Sequence, residues 1–324
     1  MLLKAEASVA MMRLGLDAAL MAPAGWLAAG ESATDVRLWV TVAAIVLARG
    51  ASNVINDITD IEKDRETNPW LPIPSGTVDP MQAVATLGFL SLGSVGLLAI
   101  ASQSLVGLVA SAGTMTAAAV LIAAYPYIPP GPIAMFVAAC PVAAIPLTAW
   151  FAAGGGGAAI LGVVGMAWLY GVPVNLHGAV RDVDTDLEIG QRTLAVRRGP
   201  RFVLTVCATA DALAHAAAAA VAYGQGRLAL VGPLAALSAA ITVRAYAVAI
   251  RRQEDPAVRG RFRRVSSMRQ LLLVRHGALI LMVAAFSPGT AAILGAAAAV
   301  VLPLLRRHER RVASGGLRRA LATG

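Results

Sequence analysis

Nine long apolar stretches recur along this chain, at about residues 14–30, 36–56, 81–101, 104–124, 133–151, 158–180, 201–223, 228–250 and 267–286. Each approaches the roughly 20 residues an α-helix needs to cross a bilayer. Lipid satisfies no backbone hydrogen bond, so a crossing segment must satisfy its own, as a helix does. The runs are continuous and lack the in–out alternation of a membrane β-barrel. Charged residues make up 14% of the chain, against about 25% in soluble domains. The sequence therefore predicts an all-α, polytopic membrane protein of nine transmembrane helices. A shorter run at about 290–305 predicts a tenth span or a re-entrant helix, because the Arg-rich tail behind it would otherwise lie outside.

The loops fall into two sets. Segments 57–80, 181–200, 251–266 and the tail beyond 305 are rich in Arg; the others, such as Gly30–Asp35, Ser102–Gln103, Ala152–Gly157 and Ser287–Gly289, contain no Lys or Arg apart from Arg227. Basic loops stay in the cytoplasm, so the first set is expected there, in a cell-membrane protein. This bias accounts for the net charge of +9. No basic patch is interleaved with aromatic residues, so no nucleic-acid partner is expected. The 251–264 Arg cluster is expected to lie against anionic membrane lipid. Cys140 and Cys207 sit inside apolar runs and form neither a disulfide framework nor a metal spacing. The segment Met1 to Arg13 contains Glu6 and has no small-residue cleavage site, so no cleaved leader is expected. The chain reads as one domain, 1–324. Two similar halves, about 1–130 and 131–305, precede a basic cytoplasmic tail, 306–324.

Each half carries one polar cluster at the cytoplasmic end of an apolar run. In the first, Asn53, Asn56, Asp60 and Asp64 are spaced three, four and four apart, which stacks them on one helical face. In the second, Asn175, Asp182 and Asp186 are seven and four apart; Asp184 points elsewhere. Hard oxygen ligands without His or Cys suit Mg²⁺, which binds through one or two carboxylates and substrate phosphates. Two Asp-bearing helix ends facing each other would clamp a diphosphate through Mg²⁺.

Between the clusters lies Asn68-Pro69-Trp70-Leu71-Pro72-Ile73-Pro74-Ser75-Gly76. Its prolines forbid helix and make a rigid loop beside the stripe. The pattern Asn56-Asp57-x-x-Asp60-x-x-x-Asp64, then Pro72-Ile-Pro74-Ser75-Gly76, then Asp182-x-x-x-Asp186 with Gly190 and Thr193, resembles the UbiA superfamily of intramembrane prenyltransferases. The resemblance covers both motifs, their order, their separation of about 120 residues and the helix layout. It implies a helical barrel with a lateral opening to lipid. It also implies Mg²⁺ held by Asn56, Asp60, Asp64, Asp182 and Asp186, gripping an isoprenyl diphosphate whose ionisation yields an allylic cation. That cation would alkylate a lipophilic or aromatic small-molecule acceptor, with Asp60, Asp64, Asp182 and Asp186 as the catalytic set.

Two departures stand out. Where family members commonly have an Arg before the Pro-Ile-Pro-Ser-Gly core, this chain has Leu71. The loop Tyr125-Pro-Tyr127-Ile-Pro-Pro-Gly131 lacks the usual basic residue, and no Lys or Arg occurs between Arg65 and Arg181. A diphosphate needs cationic partners besides metal. The remaining candidates are Lys63, Arg65, Arg181 and Arg192, with the Tyr125 and Tyr127 hydroxyls as donors. Arg49 lies inside the second apolar run on the motif face, and an intramembrane Arg is a functional candidate by default. It is expected to bind the diphosphate or an anionic acceptor group; the competing expectation is an ion pair with a motif Asp. Asp17 would orient an acceptor or pair with Arg49. Asp211 and His215, four apart, are read as a satisfied structural pair.

Three functions remain in view: Mg²⁺-dependent prenyl transfer, an intramembrane terpene cyclase that quenches the cation internally, and a non-enzymatic transporter or scaffold.

Overall fold

The computed structural model describes residues 16–67, 71–129, 131–253 and 271–299, together with 255 and 268; the side chains of Lys63 and Pro126 lie outside this description. So do the segments carrying the leader expectation, Asn68-Pro69-Trp70, the basic 256–267 stretch, the end of the tenth run and the C-terminal tail.

Among the described residues the chain is all helix: α1 (Leu16–Ala28), α2 (Val36–Thr59), α3 (Ile61–Thr67), α4 (Pro80–Ala101), α5 (Leu105–Ala124), a 3₁₀ turn at Tyr125–Tyr127, α6 (Pro132–Ala152), α7 (Ala159–Glu188), α8 (Leu194–Gly224), α9 (Leu228–Gln253), α10 (Leu271–Val274), α11 (His276–Phe286) and α12 (Pro288–Ala299). Seven of these, α2 and α4 to α9, are long and apolar enough to cross a membrane. α1 has 13 described residues, and the ninth apolar run is divided at Arg275 into α10 and α11.

Helix starts follow local capping chemistry. Asp35 caps α2 by accepting from the Arg37 backbone N–H, and also grips the Arg37 guanidinium. Asp79 and Gln82 form a reciprocal capping box on α4. α8 is a short helix joined to a long one across Gly199, whose φ of 82° ends the first segment ahead of Pro200. This junction explains why the apolar pattern begins only near 201.

Packing relies on small residues where helices cross. A Cβ on Gly25 would lie 1.9 Å from the Pro146 carbonyl oxygen, so α1 and α6 touch backbone to backbone there. The largest apolar cluster joins α1, α6, α7, α8 and α11. A separate cluster packs Ile73 and Val78 of the proline-rich loop against Val54 of α2 and Leu90 of α4. The loop is folded on itself by Ser75 N–H to Leu71 O and Val78 N–H to Pro72 O hydrogen bonds, both 2.9 Å. It therefore braces the helix that carries the first motif.

Candidate active site

α2 ends at Thr59, and Asp60 is its C-cap. The break costs little register, because the Asp64 N–H of α3 donates to the Asp60 carbonyl at 2.8 Å. The first stripe thus continues across the junction. The Asn56 amide donates to Asp60 Oδ2 at 3.1 Å, and Asp64 is buried.

The second motif lies on the last turns of α7. That helix runs on past its apolar part to Glu188 and is closed by a C-terminal turn built on Gly190. Gly190 has φ 72°; its N–H donates to Leu187 O, and the Gln191 N–H reaches back to Asp186 O at 2.7 Å. This paired 5→2 and 6→1 bonding is a Schellman cap, which favours Gly at the left-handed position. It fixes the backbone of Asp186, whose side chain is buried. Thr193 then caps α8. The two residues behind the motif are therefore its mechanical end-stop.

The two motifs meet at Arg181. Its guanidinium grips Asp182 with two hydrogen bonds, 2.8 and 2.5 Å, and lies within electrostatic reach of Asp64 and Asp186. Carboxylates from both halves of the chain thus gather at one end of the bundle. Tyr125 joins them: burial first, and then the Asp186 carboxylate, push its phenol above the ordinary tyrosine range. It therefore stays a neutral O–H donor beside the second motif.

The other sequence candidates are placed differently. Asn53 is half-buried on α2, about two turns before the break. The Asn175 amide is engaged with the Ala138 carbonyl at 2.9 Å, bridging α7 to α6. Arg65 is exposed and pairs with Glu62 at 2.9 Å. Arg192 is exposed, and Tyr127 is 84% exposed.

Arg49 pairs with Asp17 of α1 at 3.9 Å; the partner is in the first helix and is not a motif Asp. Arg49 also lines an apolar cavity of about 150 Å³ with Ser52, Ile55, Ser94, Met115 and Thr148, among α2, α4, α5 and α6. Ile55 precedes Asn56, so this cavity begins directly beneath the first motif.

A second polar centre went unseen in the sequence. Arg275, buried between α10 and α11, donates to Asp211 Oδ2 at 2.6 Å and to the Tyr170 carbonyl, and its guanidinium stands 4.2 Å from the Tyr170 ring centroid. The Tyr246 hydroxyl donates to the same Asp211 oxygen at 2.6 Å, and His177 Nε2 shares a hydrogen bond with that hydroxyl. His215 contacts the Asp211 backbone carbonyl and Ser238 Oγ. Asp211 and His215 are structural as expected, yet their side chains do not pair with each other. The signal for Arg275 was available, since a lone Arg within an apolar run is the criterion that singled out Arg49.

The UbiA prenyltransferase family matches residues 18–268 of this sequence. The chain belongs to that family. Solved UbiA relatives share its fold. The apo UbiA homologue of Aeropyrum pernix K1 superposes with a TM-score of 0.61 at 18% identity, over 86% of this chain and 97% of that one. The Archaeoglobus fulgidus homologue bound to DMAPP and Mg²⁺ gives 0.58 at 16% identity, over 86% and 99%. A protoheme IX farnesyltransferase of Trichodesmium erythraeum (strain IMS101) is 38% identical over 90 residues, which spans 27% of each chain.

Asn56, Asp60, Asp64, Asp182 and Asp186 offer side-chain oxygens, the donor chemistry that a hard divalent cation takes. Among the described residues, no three Asp, Glu, His or Cys side chains are gathered tightly enough to hold an ion alone.

Proposed function

We propose that this protein transfers an isoprenyl group from an isoprenyl diphosphate to a small lipophilic or aromatic acceptor within the membrane, with Mg²⁺ as cofactor. The observation that carries this reading is the hold of Arg181 on Asp182 with Asp64 of the first motif within electrostatic reach, together with an apolar cavity that begins at Ile55, next to Asn56. Asn56, Asp60, Asp64, Asp182 and Asp186 would hold Mg²⁺, which when bound supplies positive charge to a departing diphosphate. The chain's own residues do the rest. Arg181 and the neutral Tyr125 hydroxyl present donors to the diphosphate oxygens, and Lys63 and Arg192 are further donor candidates. The C–O bond breaks with its electron pair leaving on the diphosphate. The allylic cation alkylates the acceptor, which loses a proton. The apolar cavity excludes water that would otherwise capture the cation.

A cavity of about 150 Å³ accommodates a hydrocarbon about the size of benzene. In this reading it receives only the reacting end of the isoprenyl chain. The remainder extends toward lipid between α4 and α5, which pack lightly against each other. Arg49, about 10 Å below Asn56 along α2 at 1.5 Å per residue, is placed to meet an anionic acceptor group, exchanging Asp17 for it. The same reading has nine spans in one domain, with α1 and the divided α10–α11 as the first and last. It puts both Asp motifs on the cytoplasmic face by the positive-inside rule.

The test is Mg²⁺-dependent diphosphate release from geranyl, farnesyl and geranylgeranyl diphosphates in detergent, with and without a lipid extract or an aromatic-acid panel. Release that requires an acceptor and is abolished in Asp60→Asn and Asp182→Asn supports transfer. A cyclic or hydroxylated product from the diphosphate alone replaces transfer with cyclisation. Full activity in both Asn variants refutes the site.

A further inference from the structure

We infer that Arg181 is a resident cation of the second motif, displaced from Asp182 when a divalent ion and a diphosphate load the site. The inference rests on the function proposed above and adds a step to it. Adjacent residues on a helix do not face each other. Arg181 nevertheless curls back onto its neighbour with Nε and Nη2, at 2.8 and 2.5 Å from the two carboxylate oxygens. Asp64 and Asp186 also lie within its reach, and both are buried. Carboxylates buried together are costly without a cation among them. In the protein as it stands, the guanidinium is such a cation: it holds Asp182 directly and lies within electrostatic reach of Asp64 and Asp186.

Each Asp182 oxygen accepts from the guanidinium, which makes the carboxylate a weaker ligand and sets a positive charge against an arriving metal ion. Loading is therefore an exchange on this carboxylate. The displaced guanidinium remains tethered one residue from Asp182. It is then free to grip phosphate oxygens in the planar, two-pronged way Arg favours. The nearest cation upstream in sequence is Arg65, whose side chain is committed to Glu62 at the surface. Metal and diphosphate thus take opposite partners of one ion pair, so each promotes binding of the other, reciprocally. This chain, which lacks cations throughout 66–180, would by this device recruit its diphosphate donor only when the metal is in place.

The probe is Mn²⁺ alone, titrated by electron paramagnetic resonance into the full-length protein in detergent, with and without methylenediphosphonate. Arg181→Gln is expected to bind Mn²⁺ at least about tenfold more tightly than the parent when no diphosphonate is present, because a charge-assisted competitor is gone. It should also lose the enhancement of Mn²⁺ affinity that diphosphonate gives the parent. Arg181→Lys, unable to grip both oxygens at once, should fall between them, and carries the test if the Gln variant fails to elute as a folded species. Equal or weaker Mn²⁺ affinity in both folded variants overturns the exchange while leaving prenyl transfer standing. A parent protein that binds no Mn²⁺, even with diphosphonate, overturns both.

Discussion

Replacing Arg275 with Met tests whether the buried network around Asp211 holds the C-terminal helices in place. Arg275 and Asp211 are 3% and 1% exposed, their closest N–O distance is 2.6 Å, and they join segments 64 residues apart. Met keeps most of the aliphatic volume and removes the charge. What remains is a buried carboxylate whose described side-chain partner is the Tyr246 hydroxyl. The Tyr170 carbonyl loses its guanidinium donor, and the Tyr170 ring loses a cation 4.2 Å from its centroid. Breaking one side of such a pair is worth about 3–5 kcal/mol, whereas replacing both sides by apolar groups of similar volume is often neutral. The assay is a double-mutant cycle on thermal stability in detergent, comparing Arg275→Met, Asp211→Leu and the double variant. Each single variant should lose about 3–5 kcal/mol, and the double should recover most of it. A double variant as unstable as the sum of the singles would refute the argument, since the two side chains would then be acting independently.

Three further expectations follow from particular contacts. Gly25→Ala should destabilise by roughly 1–3 kcal/mol, because its Cβ would sit 1.9 Å from the Pro146 carbonyl oxygen; an unchanged melting midpoint would show that α1 and α6 separate freely. Arg49→Ala should weaken substrate binding more than Asp211→Ala does, since Arg49 lines the cavity and Asp211 does not, and Michaelis constants for donor and acceptor would report the reverse order if the second polar centre were the site. The Tyr125 phenol is held above its usual range of about 10, so the folded protein keeps this proton more firmly than the unfolded chain. Its contribution to stability is intact below pH 10 and lost above it, as the unfolded phenol ionises first. In an ultraviolet titration of the folded protein, Tyr125→Phe should remove one group that ionises above the ordinary tyrosine range; an unchanged late-titrating amplitude would refute the assignment.

The helices were legible because lipid imposes a length and a hydropathy on each one, and the apolar runs match α4, α5, α6 and α9 within a few residues. What hydropathy cannot see is a helix that continues after its apolar part ends. α7 runs to Glu188 because the Gly190 cap stops it there, so the second motif is helical although the apolar pattern finishes near 180. The motif residues were legible for the same local reason: fixed spacings on one face declare a shared direction. Their partners were not. Arg181 was singled out as a phosphate donor, but its hold on Asp182 runs against the i,i+1 divergence of a helix, and its proximity to Asp64 depends on how the two halves of the chain pack. Arg275 shows the limit most clearly. Its contacts lie 64 and 105 residues away, and nothing in its neighbourhood of Leu and Val announces them. A buried charge in a membrane helix requires a partner even when local sequence does not name one. Arg49 met that requirement in α1, and Arg275 met it in α7 and α8. Tyr170 lies within electrostatic reach of both pairs. One tyrosine of α7 thus stands in the field of both ion pairs, the one that lines the cavity and the one that ties α7 and α8 to the residue between α10 and α11.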